Sequence, residues 1–217
     1  MTGLEPLDGR TQRRERSAQK LYDAADVLLA DRTYDELTVE DICARANVGR
    51  ATFFRIYETK GGLLREFNRR LARDAARRLA DAGDLDVLTA LDHIRETIID
   101  TWRRAGRGHV GMANEFIRTV PSGDPHAAHP ELLALVVERV AMAVERGELP
   151  DTVPVDIAAS LALLHLTTPI AHAFAGRDLD TDSLTRILLH QWYAGMVSPS
   201  PPARRPHRSS TPARRHP

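Results

Sequence analysis

An all-α fold is what this sequence predicts, and three observations carry that expectation. Only 5% of the residues are aromatic while Ala and Leu abound, a composition suited to packed helices. Apolar residues recur every three or four positions, and no segment keeps the alternation of a half-buried strand. Gly and Pro then cut the chain into helix-sized lengths.

Residues 1–10 read as a loose arm. A first helix is expected from about Gln12 to Asp31, because Leu21, Ala24, Ala25, Leu28 and Leu29 share one face. Residues 38–64 have the layout of a helix-turn-helix. Thr38 is a good N-cap, with Asp41 three residues on as in a capping box. Ile42, Cys43 and Ala46 give a short helix its apolar stripe. Asn47-Val48-Gly49 is the tight turn, since Asn and Gly tolerate left-handed backbone. A second helix follows from Arg50 to about Tyr57. Thr59 then reads as the cap of a third, from Lys60 to about Ala82 through Leu63, Leu64, Phe67 and Leu71.

Gly83-Asp84 ends that helix, and the next runs from about Val87 to Arg104 with Leu88, Leu91, Ile94, Ile98 and Trp102. Gly106 to Gly111 reads as a break before a helix near Met112–Val120. Pro121 to Pro125 is a loop, and Pro130 opens a helix that Gly147 closes. Further helices are expected from near Pro154 to Ala175 and from about Asp182 to Met196. The total is about nine helices. Residues 198–217 are rich in Pro and Arg and read as a disordered tail, with no apolar surface to offset ordering entropy.

The formal net charge is zero, so any nucleic-acid affinity must come from the distribution of charge. Residues 10–20 supply it locally: Arg10, Arg13, Arg14, Arg16 and Lys20 against Glu15. The lone cysteine, Cys43, cannot form an internal disulfide and sits on an apolar stripe, as expected of a packed thiol in a reducing cytoplasm. No secretory leader is expected, because no apolar run follows a charged start.

The 38–64 segment resembles the N-terminal domain of the tetracycline-repressor (TetR) family of bacterial transcription regulators. The shared positions are Thr38, Val39, Asp41, Ile42, Val48, Arg50, Thr52, Phe53, Phe54, Tyr57 and Lys60. The likeness is strong over roughly residues 12–66; beyond that it rests on length and helical layout. Three features depart from the family pattern. Phe54 stands where Tyr is usual, Ile56 where His or Tyr is common, and Gly61-Gly62 where acidic or helix-favouring residues are usual.

The resemblance implies a DNA-binding head at 1–66, a helical ligand-binding and dimerisation body at 67–197, and the tail at 198–217. It further implies a repressor that binds a palindromic operator as a homodimer and is released by a small, largely apolar effector. DNA contacts are expected from Thr38, Arg50, Ala51, Thr52, Phe54, Arg55, Tyr57 and Lys60. Arg50, Ala51, Phe54 and Arg55 would face the major groove, where Arg reads guanine and a methyl group meets thymine. Thr52 and Lys60 would hold phosphates, whereas Phe53 and Tyr57, one turn apart, are spaced to pack inward. A ligand pocket is expected among Phe67, Trp102, Met112, Phe116, Met142 and His165. The dimer is expected through about 155–176 and 182–197, where Leu184, Ile187, Leu188, Gln191 and Trp192 form a stripe.

Several other motifs fail their context tests. Gly106-Arg107-Gly108-His109-Val110-Gly111 spells G-x-G-x-x-G, but no strand precedes it. Asp178 to Asp182 lacks the Gly and Glu of a calcium loop and reads as a helix cap. Ile157 to Gly176 carries no charge and is long enough to span a bilayer, yet its Ser, Thr, His and Pro favour a helix buried in a core and an interface. His126, His129, His165 and His172 lack ligand spacing, so no metal or other cofactor is expected. Two alternatives stand beside the repressor: a helical enzyme on a small apolar substrate, for which no paired acids or nucleophile and base are spaced on the helices, and a dimeric DNA-binding protein with no ligand.

Overall fold

The computed structural model describes residues 9–119 and 129–198. The arm before Gly9, the 121–125 loop and the Arg-rich tail lie outside the described residues. Among the described residues there are nine helices: α1 Gly9–Asp31, α2 Val39–Ala46, α3 Arg50–Tyr57, α4 Gly62–Ala82, α5 Val87–Arg104, α6 Arg107–Thr119, α7 Pro130–Glu145, α8 Val155–Phe174 and α9 Thr181–Val197.

The head closes where α1 covers α2 and α3. Leu21, Ala25 and Leu29 of α1 meet Ile42, Phe53 and Leu37, all at most 2% exposed. Thr38 caps α2 in a capping box with Asp41, and Asn47 takes the left-handed conformation at φ 51°. Cys43 is buried here, and burial pushes its thiol pKa up. Helix α4 then runs from the head into the body, packing on α5, α6 and α7. Helices α7, α8 and α9 complete the body, and Trp192 Nε1 donates to the Ala158 carbonyl at 3.0 Å.

Two boundaries differ from the sequence expectation. Helix α4 starts at Gly62, not Lys60, and Thr59 is not its cap; Gly61 is, with no side-chain bond. The chain reverses sharply there, with Glu58 at φ 61°, and brings Gly62 against the Tyr57 backbone. A Cβ on Gly62 would lie 2.1 Å from the Tyr57 carbonyl oxygen. The glycine is therefore a requirement of the turn and not a soft spot.

Helix α6 starts at Arg107, so most of the Gly106–Gly111 stretch is helical and not a break. Its glycines let α6 lie flat on the end of α1. A Cβ on Gly108 would come within 2.6 Å of the Leu29 and Arg32 carbonyls, and one on Gly111 within 3.1 Å of Tyr34.

Helix α8 is long and apolar enough to cross a bilayer by length and composition, with a mean hydropathy of 1.4. Here its Ala158, Ala159, Ala162, Leu163 and Leu166 are buried in the body. Arg95 on α5 is 1% exposed and joins Asp92 to Asp182 at the start of α9. Asp180 caps α9 through the Ser183 amide. Among the described residues no group of His, Cys, Asp or Glu could hold a metal ion.

Candidate functional site

The outer face of α3 carries four exposed side chains, Arg50, Ala51, Phe54 and Arg55, with Thr52 half-buried beside them. Phe53 is fully buried and Tyr57 nearly so, and these two rings pin the helix from beneath. Phe54 meets Phe53 edge-on at 5.5 Å yet stays 42% exposed. Exposing so large an apolar ring costs free energy in water and suits contact with a thymine methyl. The Arg50 guanidinium pairs with Glu40 Oε1 at 2.5 Å. Both partners are mostly exposed, so the pair is weak and Arg50 can exchange it for a base edge.

Three residues expected to contact DNA are occupied otherwise. Tyr57 donates its hydroxyl to the Ala18 carbonyl at 2.8 Å, and burial pushes its pKa well above the usual phenol value. Lys60 donates to the Tyr34 and Leu37 carbonyls at 2.7 and 2.9 Å, with its ammonium 4.0 Å from the Tyr34 ring centre. Burial lowers its pKa. It staples the loop before α2 to the turn before α4. Thr38 shares its hydroxyl with the Asp41 amide and carboxylate. Since α4 begins two residues later than the sequence suggested, Lys60 lies in the turn, and its long side chain folds back onto free carbonyls.

A groove between α1 and α3 brings in residues left off the expected contact list. Arg10, Arg13, Arg14, Arg16 and Lys20 line it together with Thr52 and Arg55. Among the described residues none of these α1 cations has an acidic partner. The signal was present in the sequence as the basic cluster at 10–20, but nothing there put it beside α3.

In the body, α4 to α8 line a half-open cavity of about 250 Å³. Its wall is Leu64, Asn68 and Leu71 of α4, Ile98 and Trp102 of α5, Ala113 of α6, His129 and Leu132, and the Leu164–Phe174 stretch of α8. Among the described residues no Asp, Glu, Lys or Arg lines it. From the wall a chain of rings leads back to the head. Trp102 contacts Phe174 and Phe67 at 4.6 Å each, and Phe67 lies 5.6 Å from the His109 ring. His109 is 5% exposed and places Nε2 2.8 Å from Asp26 of α1. That hydrogen bond holds the Asp26 carboxyl below its ordinary pKa.

Of the six residues expected to line a pocket, Trp102 is on the wall and Phe67 stands behind it. Met112 is fully buried and not on the wall; the Phe116 side chain lies outside the described residues. Two others lie elsewhere. Met142 sits beside Ala90 and Arg139, away from the cavity. His165 keeps Nδ1 2.6 Å from the Leu161 carbonyl of its own helix. Helix α8 is apolar on every side, so the sequence offered no polar face from which to set its rotation.

Residues 21–67 match the model of the bacterial regulatory proteins, tetR family. The match covers the C-terminal half of α1, all of α2 and α3, and the start of α4. The helix-turn-helix segment of this chain is thus similar to that of the TetR family. No curated protein matches the chain. Among solved structures the chain is similar to Thermus thermophilus FadR, described as a TetR-family transcriptional repressor in complex with lauroyl-CoA. The identity is 25%, the TM-score 0.63, and the match covers 88% of this chain and 98% of that one. Bacillus subtilis FadR in complex with stearoyl-CoA matches at 14% identity and TM-score 0.58, over 82% and 98% of the two chains. A TetR regulator from Rhodococcus sp. RHA1 matches at 14% and 0.59, over 83% and 97%. The family consists of DNA-binding transcription regulators, and this chain shares its helix-turn-helix and its all-helical fold.

Proposed function

We propose that this chain is a transcriptional repressor that binds a palindromic operator as a homodimer and leaves it when a small, largely apolar ligand enters the body cavity. The observation that carries the reading is the continuous packing from that cavity, through Trp102, Phe67 and His109, to Asp26 on α1. The head is taken as residues 1–66 and the body as 67–197, with α4 crossing between them. Arg50 and Arg55 read guanines, Ala51 and Phe54 meet thymine methyls, and Thr52 with the α1 cations holds phosphates. The cytoplasm is the natural compartment for such a protein, and no catalytic role is assigned.

The mechanism is linkage. A ligand that fits only one spacing of Trp102 and Phe174 favours the body conformation with that spacing. Because α1 rests on α6 through Gly108 and His109, that choice moves the two heads of a dimer relative to each other. Operator affinity then falls by the factor by which DNA weakens the ligand. The exposed Ile157, Leu161 and Ile187 on α8 and α9 support self-association through these helices, whereas Trp192 packs within the chain. Fatty acyl thioesters are the first ligand class to try, since two of the similar FadR structures hold them.

Selection from a random DNA library tests the reading. The expected result is an enriched palindrome with half-sites about one helical turn apart. Recovery of no motif would end the sequence-specific reading. A dimeric regulator without a ligand would give the same motif, with no compound altering binding.

A further inference from the structure

One polar side chain stands at the depth of the cavity. Asn68 lies on α4 between Leu64 and Leu71 and is 3% exposed. Ile98, Leu132 and Ala113, all buried, share the wall with it. The other polar groups are disposed differently. Thr168 and His172 are exposed to solvent, His129 is half-buried, and the Thr167 hydroxyl is committed to the Leu163 carbonyl at 2.9 Å. An ionised group carried to the depth would lose its water and find no counter-ion among the described residues, which is costly. A pure hydrocarbon would cover the carboxamide and give it nothing in return. A carboxamide offers two donors and an acceptor oxygen with two lone pairs, so it can serve a ligand while keeping a protein partner.

We infer that Asn68 determines ligand specificity, and that the cavity selects apolar molecules bearing one uncharged carbonyl, such as an ester, thioester, amide or ketone, over ionised acids. This rests on the proposed role of the cavity as the ligand site. The ligand's carbonyl accepts from the Asn68 amide, its apolar body fills the space lined by Ile98, Trp102 and Leu132, and any strongly polar remainder emerges past Thr168 and His172.

Displacement of a fluorescent apolar probe from the full-length protein tests this at pH 8, above the ordinary imidazole range. The competitors are methyl octanoate, sodium octanoate and nonane. The wild type is expected to prefer the ester over the acid by tenfold or more. Asn68→Leu should weaken the ester about tenfold, the worth of one neutral hydrogen bond, and leave nonane unchanged or tighter. Asn68→Ser, with a smaller polar group, should keep part of the ester preference, and it carries the test if Asn68→Leu does not fold. Equal displacement by acid and ester, or an Asn68→Leu protein that binds the ester like the wild type, overturns the inference alone. If no competitor displaces the probe from the wild type, the cavity is not the ligand site, and the ligand part of the proposed function falls with it.

Discussion

The outer face of α3 and the wall of the body cavity use side chains in opposite ways. Arg50, Ala51, Phe54 and Arg55 are exposed, and their removal leaves the head's core of Leu21, Ile42 and Phe53 intact. The cavity wall is made of the same buried side chains that hold the body together, Leu64, Leu71, Ile98 and Leu132 among them. The outer face of α3 is thus separable from stability, whereas the cavity wall is not. The seam between them, where α6 lies on α1, belongs to both.

That contrast breaks first at the seams. Gly62→Ala and Gly108→Ala each push a Cβ into backbone, at 2.1 and 2.6 Å from carbonyl oxygens that cannot swing aside. Each is expected to cost about 3 kcal/mol, the upper range for overpacking, with DNA binding lost alongside. Urea denaturation measures this, and a Gly108→Ala protein as stable as the wild type would disprove the close packing of α6 on α1.

Arg50→Ala sharpens the contrast from the head's side. Its surface pair with Glu40 contributes little to folding, so the melting temperature should hold. Preference at one base pair of the operator should relax by about 1–3 kcal/mol, read by competition among operator variants. Lys60 is the opposite case. Lys60→Met removes the donor to two loop carbonyls and should cost about 1–2 kcal/mol of stability. The salt dependence of DNA binding should not change, whereas loss of a true phosphate contact would flatten its slope by about one.

These residues also mark how far the sequence could be read. The α2–turn–α3 unit was legible because its determinants are local: Thr38 with Asp41, Asn47 in left-handed backbone, and apolar spacing within one short helix. The start of α6 was not, since Gly106, Gly108 and Gly111 look like breakers until α1 supplies a reason to omit a Cβ. Lys60 looked like a surface cation because the turn that folds it onto Tyr34 and Leu37 depends on distant chain. In the body, Trp102 stood out by chemistry, but Leu64, Leu71 and Leu132 look alike in sequence whether they fill a core or line a cavity. Asn68 carried a usable signal, a polar residue inside the apolar stripe of Leu64, Phe67 and Leu71. The order of helices needed only Gly and Pro punctuation, while the phase of α8 needed its neighbours.

The smallest effect lies at the head–body joint. The Asp26 carboxyl, held below its ordinary pKa by His109, contributes stability above the usual aspartate range and loses it as pH falls below about 4. Asp26→Asn should lower the melting temperature slightly at neutral pH and leave it nearly unchanged near pH 3, so that the two melting curves converge on acidification. An unaltered acid limb would show that the His109 contact does not hold the carboxylate in solution.

The central claim is that filling the cavity releases the DNA. It is tested by fluorescence anisotropy of a labelled selected operator, titrated with whichever acyl thioester most raises the protein's melting temperature. Ala113 lies on the wall and is 4% exposed, so Ala113→Phe occupies the cavity with protein. The wild type should release its operator with at least a tenfold loss of affinity, a coupling of about 1.4 kcal/mol. Ala113→Phe should bind the operator and ignore the ligand. Release of the variant at the same ligand concentration as the wild type would contradict the account.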